Sequence, residues 1–387
     1  MIPYSFKQPT KSLYIHWPFC TSKCHFCDFI SFEQHENFYN LYHKALCNEI
    51  TTFAHDRPQN ASHVIETIFL GGGTPSLYPK HLLQSLFTLL HNYFTIVPQA
   101  EITLEANPAD VTEENLAHWK SLGINRLSLG VQILNNDILF KLNRRQRIAD
   151  TQRAIKYAPH FFSNISIDLI LGLPDISETC WFETLAEVIS WPITHVSLYF
   201  LTVHKKTPLF FKLDHRELFT WPEERFITNY EKSVVFLIEN GFLQYEISNF
   251  SRPGFESAHN KIYWNRLPYR GFGIAASSFD GFSRFSNEKN LGKYLSATIS
   301  NKNRAFMLSE TLTNDQIAME ILMLGLRQRK GVNLRDVLYF LKDEQQQQFY
   351  QNVAMLKEQA FLEEHEGVIQ LTIKGMVLEN EVILRLL

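Results

Sequence analysis

The chain has 387 residues, 45% of them hydrophobic and 20% charged, with a formal net charge of −3. This is ordinary globular composition and enough length for one large domain plus a smaller one. It gives no general case for nucleic-acid binding, contains no run of ~20 apolar residues to span a membrane, and has five cysteines that do not read as a disulfide framework. Residues 1–12 are polar and show no signal peptide. A reduced, cytoplasmic setting is expected, because oxidation would destroy a cluster of thiolates. Peripheral membrane contact stays open.

In chain order, short apolar or β-branched runs alternate with longer helical patterns. The expected strands are residues 13–17, 67–70, 101–105, 126–131, 164–170 and 195–200. Helical periodicity fills the intervals, for example at 82–90, 113–121 and 179–189. Six such units predict an α/β fold with parallel strands and crossover helices, best drawn as an open, partial (β/α)6 barrel. A doubly wound sheet is the alternative. Nearly every expected strand runs into an unusual cluster. Cys20, Cys24 and Cys27 follow the first, and Gly71-Gly72-Gly73-Thr74-Pro75 follows the second. Glu105-Ala106-Asn107-Pro108 ends the third, and Gly130-Val131-Gln132 ends the fourth. Asp168 interrupts the fifth, just before Gly172-Leu173-Pro174. Sites of parallel α/β folds form at the C-terminal ends of strands, so one site built from all these ends is expected.

The composition changes near residue 290, which sets the expected boundary: a barrel domain over 1–290 and a C-terminal domain over 291–387. In the latter, helices are expected at 313–327, 334–341 and 345–359. A hairpin over 361–372 turning at Gly367 and a last helix follow, an outline resembling a winged helix. Between 310 and 387 eight Lys/Arg face twelve Asp/Glu, which argues against reading DNA.

The C-x3-C-x2-C spacing of Cys20, Cys24 and Cys27 puts three soft ligands on one tight loop. Three thiolates can hold three corners of a four-iron cubane and leave the fourth iron open. A structural zinc knuckle completed by His25 or His16 is the alternative. The glycines after the second strand let backbone approach a ligand closely or adopt positive φ, although such a run alone is usually a turn. Glu105, Gln132 and Asp168 are polar interruptions of apolar strands, and each alone would read as a sheet-end role. Asn143-Arg144-Arg145-Gln146 reads as part of a helical stretch with a basic face. His259-Asn260-Lys261-Ile262-Tyr263-Trp264 sets an imidazole beside two aromatic rings. A buried, hydrogen-bonded histidine explains that segment nearly as well as a ligand does. Cys47 and Cys180 read as ordinary packed cysteines.

The stretch from Tyr14 to Phe29 resembles the radical S-adenosylmethionine (SAM) superfamily. It is most similar to the branch holding oxygen-independent coproporphyrinogen dehydrogenase and the HemW haem chaperones. The resemblance covers almost the whole chain. It implies a [4Fe–4S] cluster on Cys20, Cys24 and Cys27 whose open iron chelates SAM, and reductive cleavage of SAM to a deoxyadenosyl radical. Tyr14 is counted with the cofactor-binding residues, and Phe26 is expected near the adenine. Gly72, Gly73 and Thr74 are expected at the SAM amino group. Glu105, Gln132 and Asp168 match positions that contact the ribose, amino-acid or adenine groups. Arg144, twelve residues beyond Gln132, matches the arginine that pairs with the SAM carboxylate, a task suited to a planar bidentate donor.

Two departures choose the branch. The dehydrogenases carry a fourth cysteine two positions after the third, where this chain has Phe29, and they have a longer N-terminal extension. The segment from His259 to Trp264 fits the H-N-x-x-Y-W signature of the chaperones and makes His259 the candidate haem ligand, in a site expected to be partly exposed. Gly273-Ile274-Ala275-Ala276-Ser277 departs from the glycine-alanine-histidine segment more usual in the family. The resemblance thus implies a haem chaperone that delivers haem to acceptor haemoproteins such as respiratory enzymes. The alternative is coproporphyrinogen III dehydrogenase, a radical oxidative decarboxylase.

Overall fold

The structure is a computed structural model that describes residues 10–55, 64–299 and 306–387. It separates into two compact units, one of residues 1–221 and 268–310, the other of 222–267 and 311–387.

The first unit carries the parallel sheet. Its strands are β1 (Ser12–Trp17), β2 (Val64–Gly72), β3 (Thr95–Ala106), β4 (Arg126–Gln132), β5 (Asn164–Leu171) and β6 (His195–Phe200). Each pairs in parallel with the next in chain order. A doubly wound sheet reverses direction at a switch point; the order of these six strands never reverses, so the expected open barrel holds and the doubly wound alternative does not. β1 does not close on β6. Its free edge pairs instead with the short strand Arg270–Phe272. Leu13, Ile15, Leu70, Leu104, Leu127, Leu129, Ile167 and Leu198 are buried along these strands, and near-continuous apolar runs are what a sheet covered on both faces requires.

The helices between the strands are α1 (Tyr39–His55), α2 (Lys80–Tyr93), α3 (Glu113–Ser121), α4 (Asn136–Lys141), α5 (Ile148–Tyr157), α6 (Glu178–Ile189) and, after β6, α7 (Pro208–Asp214). Several start on side-chain caps: Thr112 accepts from the Asn115 amide, Asn135 from Ile138 and Ser177 from Cys180. The open edge is locked by a buried network. Glu49 of α1 pairs with Arg270 at 2.6 Å and accepts from Tyr294 at 2.8 Å, from Asn287 at 2.8 Å and from the Gly273 amide at 2.9 Å. A buried charge is tolerated when its partners are complete in this way.

The second unit holds α8 (Glu223–Glu239) and α9 (Ala258–Trp264). After α10 (Leu291–Ile299), which belongs to the first unit, come α11 (Asn314–Leu326), α12 (Leu334–Leu338), α13 (Asp343–Glu358), α14 (Ile373–Val377) and α15 (Glu379–Leu386). The expected hairpin is present as Leu362–His365 and Val368–Leu371, turning at Gly367 with φ +79°. A third short strand, Val332–Asn333, adds to it, giving the helices-plus-hairpin outline of a winged helix. The last helix is two, α14 and α15, rather than one. The structural division does not fall at residue 290: the segment with His259 and Trp264 sits with the C-terminal helices. The reason is a set of contacts remote in sequence. Glu246 pairs with Arg327 at 2.9 Å, Arg266 with Glu320 at 2.8 Å, and the Gln328 carboxamide donates to the Trp264 carbonyl at 2.9 Å.

Candidate cofactor cleft

A cleft in the first unit opens where the barrel strands end. It is lined by Cys20, Cys24, Cys27, Phe26, the Gly72–Thr74 turn, Glu105, Gln132 and Arg144. Segments more than a hundred residues apart in sequence meet here because parallel strands deliver all their C-terminal loops to one end.

The glycine turn and the cysteine loop are stitched together. The Gly73 amide donates to the Trp17 carbonyl at 2.8 Å and the Thr74 amide to the Phe19 carbonyl at 3.0 Å. The Thr74 hydroxyl lies 3.4 Å from the Cys20 sulfur. Gly72 has φ +115°, and a Cβ there would fall 2.6 Å from the His16 ring; a Cβ on Gly73 would fall 2.8 Å from the Phe19 carbonyl oxygen. Both positions therefore exclude a side chain. From the other side, Asn143 donates to the Lys23 carbonyl at 2.9 Å, and the His25 amide donates to Leu142 at 3.0 Å.

Arg144 is not helical. Residues 142–147 form the loop between α4 and α5, because Asn143 takes φ +58°, a left-handed turn that ends a helix. Arg144 Nη2 donates to the Gly130 carbonyl at 2.5 Å and Nη1 approaches the Cys24 sulfur at 3.3 Å. Its Nε is buried with no partner among the described residues. Arg145, also on the lining, is taken up by an ion pair with Asp110. Gln132 has φ +68° at a register shift between β4 and β5, a bulge that re-aims its side chain into the cleft.

Glu105 accepts the Gly72 amide at 3.2 Å. Burial, reinforced by the Asp168 carboxylate, raises its pKa to about 8. Asp168 is not on the cleft lining. It accepts the Ser128 hydroxyl at 3.1 Å, and Ser128 is on the lining; burial raises Asp168 as well. Tyr14 lies behind the site: its ring packs on Gly71, and its hydroxyl meets His16 Nδ1 at 3.0 Å. The reading of the sequence missed Arg126 and Ser128. Strand alternation places both on one face of β4 with Gly130, and a buried arginine inside an apolar strand was the signal. The charge of Arg126 opposes, without reversing, the rise that burial imposes on Glu105 and Asp168.

The donor set fits an iron–sulfur cluster. Three half-buried thiols face the same cleft. Burial pushes Cys20 up and Cys27 up to about 11, so thiolates here call for metal to displace their protons. Neither imidazole of the zinc-knuckle alternative lines the cleft. His16 Nε2 donates to the Ile30 carbonyl at 3.1 Å and His25 Nδ1 to the Lys141 carbonyl at 2.8 Å. Among the described residues no three His, Cys, Asp or Glu side chains converge on one ion.

His259 belongs to the second unit. It is fully buried, and its Nε2 meets the Tyr263 hydroxyl at 2.8 Å. The partly exposed setting expected for it is not found: α9 turns the ring into the unit rather than out of it.

Residues 14–188 match the Radical SAM superfamily model, and residues 312–378 match the HemN C-terminal domain. The chain is 35% identical to the haem chaperone HemW of Synechocystis sp., covering 85% of this chain and 80% of that one. It is 32% identical to the HemW of Bacillus subtilis over 96% and 98%. The chain belongs to the HemW haem chaperone family. A relative in mouse, the mitochondrial radical S-adenosyl methionine domain-containing protein 1, is 31% identical over 84% of this chain and 69% of its own length. The chain also shares its fold with the Escherichia coli radical SAM enzyme coproporphyrinogen III oxidase. That structure aligns with a TM-score of 0.83 over 98% of this chain and 91% of the other, at 23% identity.

Proposed function

We propose that this protein is a haem chaperone: it carries a [4Fe–4S] cluster, binds SAM, and hands haem to acceptor haemoproteins such as respiratory enzymes. The cofactor half is carried by one observation, the convergence of three thiols, a glycine turn and an unfilled arginine donor on a single cleft. The cargo half rests on likeness to haem chaperones over nearly the full length of both chains.

Cys20, Cys24 and Cys27 would hold the cluster, and when bound it supplies an electron and an open iron for the amino-acid end of SAM. The chain's own residues then orient the ligand. Arg144 offers a guanidinium, held by Gly130, to a carboxylate. The Gly72–Thr74 turn offers backbone to an ammonium, and Phe26 offers an aromatic face to adenine. Glu105, Gln132 and, through Ser128, Asp168 supply polar groups along the cleft, while Tyr14 fixes His16 beneath the turn. His259 remains the histidine of the haem-signature segment; it would ligate iron only by giving up its Tyr263 hydrogen bond. Unprotected thiols favour a reducing, cytoplasmic compartment. No helix among the described residues is long and apolar enough to cross a membrane.

Anaerobic reconstitution with iron and sulfide tests the cofactor half. The wild type should take up four irons per chain and the Cys20, Cys24 and Cys27→Ala triple variant almost none. A full iron complement in the triple variant would sink the assignment. Haemin titration of the same preparation tests the cargo half.

A further inference from the structure

The second unit contains a cleft that the cofactors above do not use. It lies between the turn that ends α9 and the α11–α12 connection, and encloses about 780 Å³, within the ~300–1,000 Å³ typical of small-molecule sites. One wall is the Trp264 indole, backed by the Arg327 guanidinium at 4.1 Å from its centroid. Arg327 is itself held by Glu246 at 2.9 Å, so the indole is fixed in place. Phe340 and Tyr339 are also on the lining and form an edge-to-face pair with centroids 4.9 Å apart.

The charge of the lining is one-sided. Lys330, Arg335 and Arg266 contribute cations, of which Arg266 is already paired with Glu320 at 2.8 Å, and Asp336 is the one carboxylate on the lining. Arg335 has no ion pair among the described residues, and Lys330 donates to the neutral carboxamide of Asn265. No histidine, cysteine or methionine lines the cleft. Tyr339, 82% exposed at its mouth, brings a phenol oxygen.

We propose that this cleft is the seat of the haem cargo, with the macrocycle between Trp264 and Phe340, its propionates on Lys330 and Arg335, and its iron bound by the Tyr339 oxygen. The proposal rests on the haem-carrying function above. Flat aromatic walls suit the porphyrin faces, two cations suit two carboxylates, and tyrosinate is a known axial ligand of ferric haem. On binding, the phenol O–H breaks, the O–Fe bond forms, and the proton leaves to solvent with the water displaced from iron. No electron moves. An exposed ligand at a cleft mouth also meets the need of a carrier, since an acceptor can reach the iron. His259, on the same helix as Trp264 but turned inward, is then a structural residue that holds Tyr263.

The test is haemin titration of the full chain by absorbance. Tyr339→Phe keeps the ring and removes the oxygen; Lys330→Gln with Arg335→Gln removes both cations at exposed positions. Tyr339→Phe should abolish the tyrosinate-type ferric spectrum and weaken haemin about tenfold. The double variant should weaken haemin about tenfold and leave the affinity for haem dimethyl ester unchanged. If the wild type binds haemin and either variant leaves both spectrum and affinity unaltered, the cleft assignment fails while the chaperone function stands. If the wild type binds no haemin, both fail.

Discussion

Arg144 and Arg145 are neighbours with different tasks. Arg144 reaches the Gly130 carbonyl and the Cys24 sulfur and keeps its Nε unpaired among the described residues, whereas Arg145 is bound to Asp110, which also accepts the Ser76 hydroxyl at 2.6 Å. Charge-assisted hydrogen bonds contribute roughly 1.5–3 kcal/mol. Arg144→Ala should therefore weaken SAM binding to the reconstituted protein about ten- to a hundredfold in calorimetry, while Arg145→Ala acts mainly on melting temperature. Equal losses of SAM affinity would count against the placement of Arg144. Glu105 makes a second expectation. Its pKa is raised from the ordinary 4.5 to about 8, so the folded protein keeps a proton that the unfolded chain gives up. The stability this contributes is complete below pH 4.5, falls as pH rises from there to about 8, and is gone above that. Glu105→Gln carries no such charge. Its advantage over the wild type in denaturant midpoint should grow between pH 5 and pH 8, and a constant difference would refute the shifted carboxyl.

At the scale of elements, the site depends on two strand ends in contact. β1 and β2 run in register from Ser12↔Thr67 to Trp17↔Gly72, so the cysteine loop and the glycine turn leave the sheet side by side. A Cβ on Gly73 would meet the Phe19 carbonyl oxygen and the Pro18 carbonyl carbon at 2.8 Å. Both are backbone atoms that cannot swing aside, and overpacking of this kind costs about 1–3 kcal/mol. Gly73→Ala should lose cluster loading several-fold and keep the wild-type far-UV spectrum, because the strain falls on the loop and not on the sheet. Normal iron uptake by that variant would show that the loop tolerates the shift. The loop after β4 obeys similar logic. Its bulge and the left-handed Asn143 bring Gln132 and Arg144 into the cleft from twelve residues apart, although helical periodicity alone would have carried Arg144 along a helix face.

At the scale of the whole molecule, the barrel is shared with coproporphyrinogen III oxidase, so the fold cannot distinguish carrying haem from decarboxylating its precursor. Phe29 bears on that choice. It is 66% exposed and lines the rim of the cleft, where the dehydrogenases are expected to place a fourth cysteine. Anaerobic assays with SAM, reductant and coproporphyrinogen should give no multiple-turnover formation of protoporphyrinogen, and sustained product would overturn the chaperone function.

The sequence by itself determined the local features: the cysteine spacing, the glycine turn, the six strands and the helices and hairpin of the C-terminal unit. These are encoded within a few residues by periodicity, turn chemistry and ligand spacing. It also named Glu105 and Gln132, which reach the cleft, because a Glu or Gln in an apolar strand is visible without coordinates; Asp168, visible in the same way, sits behind the lining on Ser128. Only the tertiary structure decided what depends on contacts remote in sequence. Sequential strand order, not strand composition, separates a barrel from a doubly wound sheet. The pairings of Glu246 with Arg327 and Gln328 with Trp264 moved the His259–Trp264 segment out of the barrel. The direction of His259 followed from which face of α9 found a core to pack against, and a seven-residue helix is too short for its periodicity to show that face.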